Sequence, residues 1–210
     1  MKKFKTEQED FWAGPFGDEY VSRNKDDAIL AGNIALFSEI FSHVRPINSL
    51  IEFGSNIGLN LSAARHLAPN LKLAAIEINN TAVVRLKKIK GIKVYHQSIL
   101  DFTSDDLWDF VLIKGVLIHL NPKVLDSVYG KLHKASSKYI CIAEYYNPEP
   151  VEVTYRGHKN KLFKRDFAGE MLDKFTDLKL ISYGFTYLRD PKYCYDSMNW
   201  FLLEKTSLGG

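Results

Sequence analysis

The sequence predicts an α/β protein: a mostly parallel, seven-stranded sheet with helices on both faces and an antiparallel strand pair at the C-terminal end. Three observations predict it. Strand-length apolar runs alternate with helix-length amphipathic stretches through five units, the pattern of parallel strands joined by right-handed helical crossovers. The last two strand-like runs, "LKLISYGFTY" and "NWFLLEK", have only the turn-rich "LRDPKYCYDSM" between them, so they pair antiparallel. The first strand runs into "GSNIG" and then directly into a helical pattern. In an open α/β sheet, ligands sit at such strand ends.

The elements follow in order. Residues 26–43 place Ile29, Ala31, Ile34, Leu36, Phe37, Ile40 and Phe41 at largely helical spacing, and Pro46 ends that helix. Residues 48–53 are strand-like, and 58–68 read as a helix stopped by Pro69 and Asn70. The run "LKLAAIEI" (71–78) suits a strand buried on both faces. Residues 80–90 form a basic-faced helix ended by Gly91, "IKVYHQ" (92–97) alternates as a third strand, and "WDFVLIKG" (108–115) is a fourth. Pro122 opens a helix to about Ala135, and "KYICIAEY" (138–145) is the fifth strand. After an irregular stretch, a helix over 164–175 leads into the final pair.

Composition bounds the rest. With 210 residues, 46% of them hydrophobic, the chain suffices for one domain, 1–210, with a sizeable core. A formal charge of +3 does not demand nucleic acid and fits an anionic small substrate. Cys141 and Cys194 have no spacing of a disulfide framework or a zinc site, and no metal is expected. No apolar run approaches the roughly 20 residues of a membrane span. The start, "MKKFKTEQED", continues into acids instead of an apolar signal region, so a cytoplasmic location is expected.

The Gly-rich turn carries the functional reading. Gly54 permits a tight turn, Gly58 permits close helix–strand approach, and Asn56 tolerates the left-handed conformation that its position requires. An asparagine there counts against a dinucleotide, whose pyrophosphate wants bare backbone, and less against S-adenosylmethionine, which has no phosphate. Glu52 closes an apolar strand and needs a polar partner, for which the methionine ammonium is suited. Glu77, with Ile78 beside it, lies 25 residues after Glu52, close to the spacing at which an acid binds a ribose diol. Ser98, Ile99 and Asp101 follow the third strand, placed to frame an adenine. Lys114 ends the fourth, beside the methionine portion.

With these residues in view, the chain resembles the class I S-adenosylmethionine-dependent methyltransferases, which have a Rossmann-like sheet, and more narrowly the pseudaminic acid biosynthesis-associated methylases. The segments that carry the resemblance are "EQEDFWAGPFGDEYVSRN", "IEFGSNIGLNL", "KGVLIHLNP", "IAEYYNPEPVEVTYRGHKNKLFKRDFAGEML" and "YGFTYLRDP…NWFLLEK", spanning nearly the whole chain. It implies that Glu52, Gly54, Asn56 and Gly58 form the cofactor turn, that Glu77 binds the ribose, and that Ser98 and Ile99 border adenine. It also implies a lid, residues 1–24, in which Phe11, Trp12, Phe16 and Tyr20 close over the cofactor and Gly14 and Gly17 supply the bends. Simple packing of a terminal arm is the alternative. The implied activity is methyl transfer to a hydroxyl or amine of a sugar, of pseudaminic type, in nucleotide-activated form or as a precursor.

For that chemistry His119 is the candidate base, since it follows the fourth strand and titrates near neutrality. Its rival role is to fix the "IHLNP" loop. Glu144 and Tyr145 end the fifth strand facing the same cleft, and Tyr145 or Tyr146 is placed to hold a sugar ring. Residues 146–165 read as a long acceptor-side insertion, Pro-rich and then basic. Within it Arg156, with His158, Lys161 and Arg165, is expected to grip a carboxylate or phosphate of the acceptor. The readings that compete are a methyltransferase for another small metabolite or RNA, and a non-catalytic cofactor-binding scaffold of glycosylation machinery.

Overall fold

A computed structural model describes residues 4–23, 27–104 and 106–206. Its main sheet has seven strands: β1 (Ser49–Phe53), β2 (Lys72–Glu77), β3 (Ile92–His96), β4 (Trp108–Lys114), β5 (Ser136–Glu144), β8 (Leu178–Thr186) and β9 (Met198–Lys205). Their order is β3-β2-β1-β4-β5-β9-β8. The first five are parallel, with Ile51 opposite Ala74 on one side and Val111 on the other. β9 is antiparallel to both β5 and β8. The expected α/β architecture and its closing strand pair are therefore present.

Alternate residues of the central strands feed two cores, one on each face of the sheet. Ile51, Phe53, Val111, Ile113, Ile140 and Ile142 pack under α6 (Leu125–Ala135) and α7 (Phe167–Lys174), through Val128, Leu132, Phe167 and Met171. Leu50, Leu73, Phe110, Leu112 and Cys141 pack under α3 (Asp27–Ser42), α4 (Leu59–Leu67) and α5 (Asn80–Leu86), through Phe37, Ile40, Leu61 and Leu86. Because both faces are covered, the central strands read as continuous apolar runs. Among the described residues no helix is long and apolar enough to cross a membrane.

Three regions add to or depart from the sequence expectations. Among the described residues no helix joins β3 to β4: a turn at Ser98–Phe102 lies there, and the Phe102 ring fills the space against Phe53 and Tyr95. Two helices, α1 (Glu7–Ala13) and α2 (Pro15–Arg23), form the N-terminal segment expected as a lid; residues 1–3 and 24 of that segment lie outside the described residues. Thr6 and Glu9 cap α1 reciprocally, a capping box. The third departure is the insertion after β5, expected as an irregular loop. It is instead a hairpin of β6 (Val151–Tyr155) and β7 (His158–Lys164), and α7 starts after it with Asp166 as its cap. Arg156 and Gly157 sit at its apex with φ of 49° and 83°, the left-handed pair of a tight two-residue hairpin turn.

Candidate active site

The turn after β1 is fixed from two sides. The backbone N–H groups of Gly54 and Ser55 both donate to the Ile76 carbonyl, at 2.9 and 3.1 Å, tying the turn to β2. Gly54 has φ 78°, and a Cβ there would lie 2.6 Å from Val116 Cγ2. Asn56 takes φ 46°, the left-handed conformation that its position predicts. Gly58 has φ 82°, and the close approach it allows is to the side chains of Leu86 and Ile89, both 2.8 Å from a built Cβ, where a strand was expected. Glu77 completes the arrangement. Its carboxylate accepts from Asn56 N–H and from Asn79 N–H, both at 2.7 Å, so one acid holds the turns after β1 and β2 together.

These turns open onto a cavity with about 1180 Å³ of empty space, part of it open to solvent. Of the residues singled out in the sequence for a cofactor, Trp12, Tyr20, Gly54, Asn56, Glu77, Ile78, Ser98, Ile99 and Lys114 line it. Asp101 does not: it turns outward to pair with Lys5 at 2.6 Å, and Leu100 takes its place in the wall. Glu52 is fully buried and sits behind Asn60, whose Nδ2 donates to Glu52 Oε1 at 2.5 Å. Burial pushes the Glu52 carboxyl up to about 8. The same cause lowers Lys114, with the acids Glu52, Asp196 and Glu144 opposing it.

The wall carries polar atoms without partners. Gln8 Oε1, Trp12 Nε1, Asn56 Oδ1 and Asn60 Oδ1 are buried and make no hydrogen bond among the described residues, and all four residues line the cavity. Unpaired buried polar atoms are costly, and a ligand that supplies partners removes the cost. Gln8, Asn33 and Asn60 escaped the sequence reading. Asn33 had left a signal, a polar residue on the apolar stripe of a helix, and so had Asn60, two residues past the last glycine of the turn.

His119 forms the far wall. It ends a short 3₁₀ turn, Leu117–His119, whose first N–H groups are held by Glu144 Oε1: Val116 N–H donates at 2.9 Å and Leu117 N–H at 2.8 Å. Glu144 was expected to face the cleft; it lies behind the turn, and burial raises its carboxyl to about 7. The His119 ring lies 4.7 Å from that of Trp12 and 4.8 Å from that of Tyr155. Its Nδ1 is 2.7 Å from the Lys161 carbonyl, and burial pushes it down to about 4.

The remaining acceptor-side residues are not brought to the cavity. Tyr145 is wedged between the two cores with Lys164 over its ring, and the exposed Tyr146 packs at a tilt against Phe201. Arg156 is exposed at the hairpin apex, its guanidinium over Tyr155. His158 packs on Phe11 and Phe16, Lys161 pairs with Glu7 at 2.9 Å, and Arg165 pairs with Glu170. The reason is the hairpin itself. Strand pairing gives the basic side chains to the apex, the solvent and the N-terminal helices, and leaves Tyr155 and a backbone carbonyl to meet His119.

No protein-family model matches the chain, and no curated protein matches it in sequence. Solved structures match its fold. Magnesium protoporphyrin IX methyltransferase from Synechocystis PCC 6803, with bound S-adenosylhomocysteine, aligns at TM-score 0.69 and 12% identity over 97% of this chain and all of that one (100%). A 1,6-didemethyltoxoflavin-N1-methyltransferase of Burkholderia thailandensis, also with S-adenosylhomocysteine, aligns at 0.68 and 12% identity, over 95% of this chain and 87% of that one. The plantazolicin methyltransferase BpumL aligns at 0.67 and 13% identity, over 95% and 94%. The fold is that of the class I methyltransferases. In this class I fold, the turn after β1 and the ends of β2, β3 and β4 meet at one cavity.

Proposed function

We propose that the chain is an S-adenosylmethionine-dependent methyltransferase acting on a small molecule. From its resemblance to the pseudaminic acid-associated methylases, the acceptor is a nonulosonic-type sugar, its activated form or a precursor. The observation that carries the first part is the cavity at the strand ends of a class I fold, with Glu77, Asn56 and four unpartnered polar atoms in its wall. The sugar reading rests on the resemblance, since the fold neighbours are named for acceptors as different as magnesium protoporphyrin IX and plantazolicin.

When bound, the cofactor supplies an activated methyl group for in-line displacement. The chain's residues do the rest. Trp12 and Tyr20 cover the cavity and exclude water, and Glu77 orients the ribose end. The Nδ1–H of His119 donates to the Lys161 carbonyl, so Nε2 carries the lone pair and is the atom that takes the acceptor's proton. A base fixed in one tautomer favours catalysis over the scaffold reading. An anion on the acceptor is not met by Arg156, which stands outside.

Incubation with methyl-labelled cofactor and a panel of activated sugars and sugar acids, read by mass spectrometry, tests both parts. Transfer to a nonulosonic sugar supports the full reading. Transfer only to other metabolites keeps the methyltransferase and removes the sugar. Binding without transfer to any of them leaves the scaffold.

A further inference from the structure

Among the described residues, three that are not glycine take a positive φ: Asn56, Arg156 and Asn160. Asn56 belongs to the turn after β1 and Arg156 to the hairpin apex. Asn160, with φ 60°, lies inside β7, where the tight turn does not need it. It is also exposed, so core packing does not force a conformation that strains an L-residue. Local backbone strain of this kind persists where the surrounding structure makes use of it.

The hairpin register shows the use. Between the pairs Tyr155–His158 and Val153–Leu162, β6 has one residue, Thr154, and β7 has three, Lys159, Asn160 and Lys161. β7 therefore bulges at Asn160, and a bulge re-aims the groups around it. Successive carbonyls of a regular strand point to opposite edges, so one of any two would be spent on β6. Here both turn to groups of the site. The Asn160 carbonyl accepts from Gln8 Nε2 at 3.0 Å, and the Lys161 carbonyl accepts from His119 Nδ1 at 2.7 Å. The bulge is held from two sides. Asn160 N–H donates to Glu152 Oε1 on β6 at 2.5 Å, the Asn160 side-chain amide donates to Glu7 Oε1 on α1, and Lys161 Nζ reaches that same oxygen at 2.9 Å.

The imidazole depends on that carbonyl. Which ring nitrogen carries the proton is set by the hydrogen bond that the other makes. An imidazole without such a partner favours the proton on Nε2, where it blocks the lone pair. We propose that Asn160 is a positioning residue for His119: its left-handed bulge turns the Lys161 carbonyl onto Nδ1–H and so keeps Nε2 free of a proton. The proposal rests on the methyltransferase reading, in which Nε2 takes the proton of the acceptor. Glu7 and Gln8 brace the bulge, so α1 acts on the base through the hairpin as well as through Trp12.

The test is nitrogen-15 NMR of the histidine-labelled full chain at neutral pH, which reads the tautomer without any acceptor, with the His119 signals assigned by their loss in His119→Gln. In the wild type Nδ1 should carry the proton. Asn160→Gly keeps the left-handed backbone, so it should keep the tautomer and a kcat within about threefold of wild type. Asn160→Val disfavours that backbone, so the proton should move towards Nε2 and kcat should fall about tenfold or more. S-adenosylhomocysteine affinity should stay within about twofold in both, because Asn160 does not line the cavity. The rates are read with methyl-labelled cofactor on the acceptor that the activated-sugar panel yields. A wild type with its proton on Nε2 overturns the proposal, as does Asn160→Val with the wild-type tautomer. Asn160→Gly failing as badly as Asn160→Val assigns the effect to the side-chain amide and overturns it too, and a moved proton with an unchanged kcat reduces the bulge to a structural contact. A folded wild type that does not bind S-adenosylhomocysteine removes the methyltransferase reading instead, while the NMR still decides whether the bulge sets the tautomer. Should Asn160→Val fail to fold, Asn160→Ala, which is less strained there, carries the same comparison.

Discussion

His119 Nδ1 and the backbone oxygen of Lys161 lie 2.7 Å apart, the first on the turn after β4 and the second on the hairpin strand β7. That bond joins three parts of the chain. Lys161 is itself paired to Glu7 of α1, Gln8 Nε2 donates to the neighbouring Asn160 carbonyl at 3.0 Å, and the Trp12 ring packs at a tilt against the imidazole. The N-terminal helices and the hairpin therefore close on the same residue that the β4 turn presents.

Removing His119 should expose its role. His119→Ala is expected to lower the rate about 10²–10⁴-fold while S-adenosylhomocysteine affinity stays within a few-fold of wild type. Because burial holds the imidazole at about 4, the pH–rate profile should show no His119 inflection near 6.5. A clear inflection there, abolished in His119→Ala, would mean that the imidazole is far better solvated than this packing allows. Single-turnover rates from pH 5 to 8 make the measurement.

The buried acids predict a pH dependence of stability. Glu52 is held near 8 and Glu144 near 7 in the fold, above their ordinary 4.5, so the folded protein keeps protons that the unfolded chain has released. Their contribution falls as pH rises from 4.5 through these values. His119 acts in the opposite sense, but its contribution is lost only as pH falls from 6.5 towards 4. Lys114 and Glu77 act on Glu52 through their charges, Lys114 lowering and Glu77 raising its carboxyl, so a comparison isolates the acid best. The stability advantage of wild type over Glu52→Gln should shrink by about 1.4 kcal/mol per unit between pH 6.5 and 8. Urea denaturation at four pH values measures it, and an advantage that grows with pH contradicts the assignment.

The staple made by Glu77 separates conformational from chemical effects. Asn56→Gly keeps the backbone N–H bond to Glu77 and relieves the left-handed penalty, so the melting temperature should hold or rise. Asn56→Ala should cost about 1 kcal/mol. Glu77→Ala should weaken S-adenosylhomocysteine by about 1.5–3 kcal/mol in calorimetry. Equal stability of the Gly and Ala variants would show that the conformation at position 56 is not left-handed.

Strand and helix periodicity made most of the sheet legible in the sequence, and the αL requirement at Asn56 followed from its place between Gly54 and Gly58. The hairpin was not legible, because "VEVTYRGHKNKLFK" carries five basic or imidazole side chains that read as a solvated loop, while the alternation that pairs Val153 with Leu162 is short. The capping box in "TEQE" went unread, because the N-terminal segment was judged by the aromatic residues that follow. Glu144 illustrates a deeper limit. Its position at a strand end marked it as functional, yet only three-dimensional proximity shows that its carboxylate reaches Val116 and Leu117 N–H and not the cavity.

The last prediction contrasts two neighbours on the hairpin. Tyr155 and Arg156 are adjacent in sequence, but the tight turn sends them to different surroundings. Tyr155 is half-buried, with its ring 4.8 Å from His119 and 5.9 Å from Phe16, so it walls the imidazole. Arg156 is exposed at the apex, in a conformation that costs a non-glycine residue about 1 kcal/mol. Arg156→Gly should therefore leave methyl transfer within about twofold of wild type and stabilise the protein by up to about 1 kcal/mol. Tyr155→Ala removes a ring from the packing around His119 and opens its wall to water. It should lower kcat by about tenfold or more, since misplacement of a catalytic group is felt steeply. S-adenosylhomocysteine affinity should change little, because Tyr155 does not line the cavity at the strand ends. Kinetics of both variants against one acceptor, with calorimetry alongside, give the comparison. A large loss of acceptor kcat/KM in Arg156→Gly, with Tyr155→Ala nearly unaffected, would move the acceptor to the hairpin apex and away from His119.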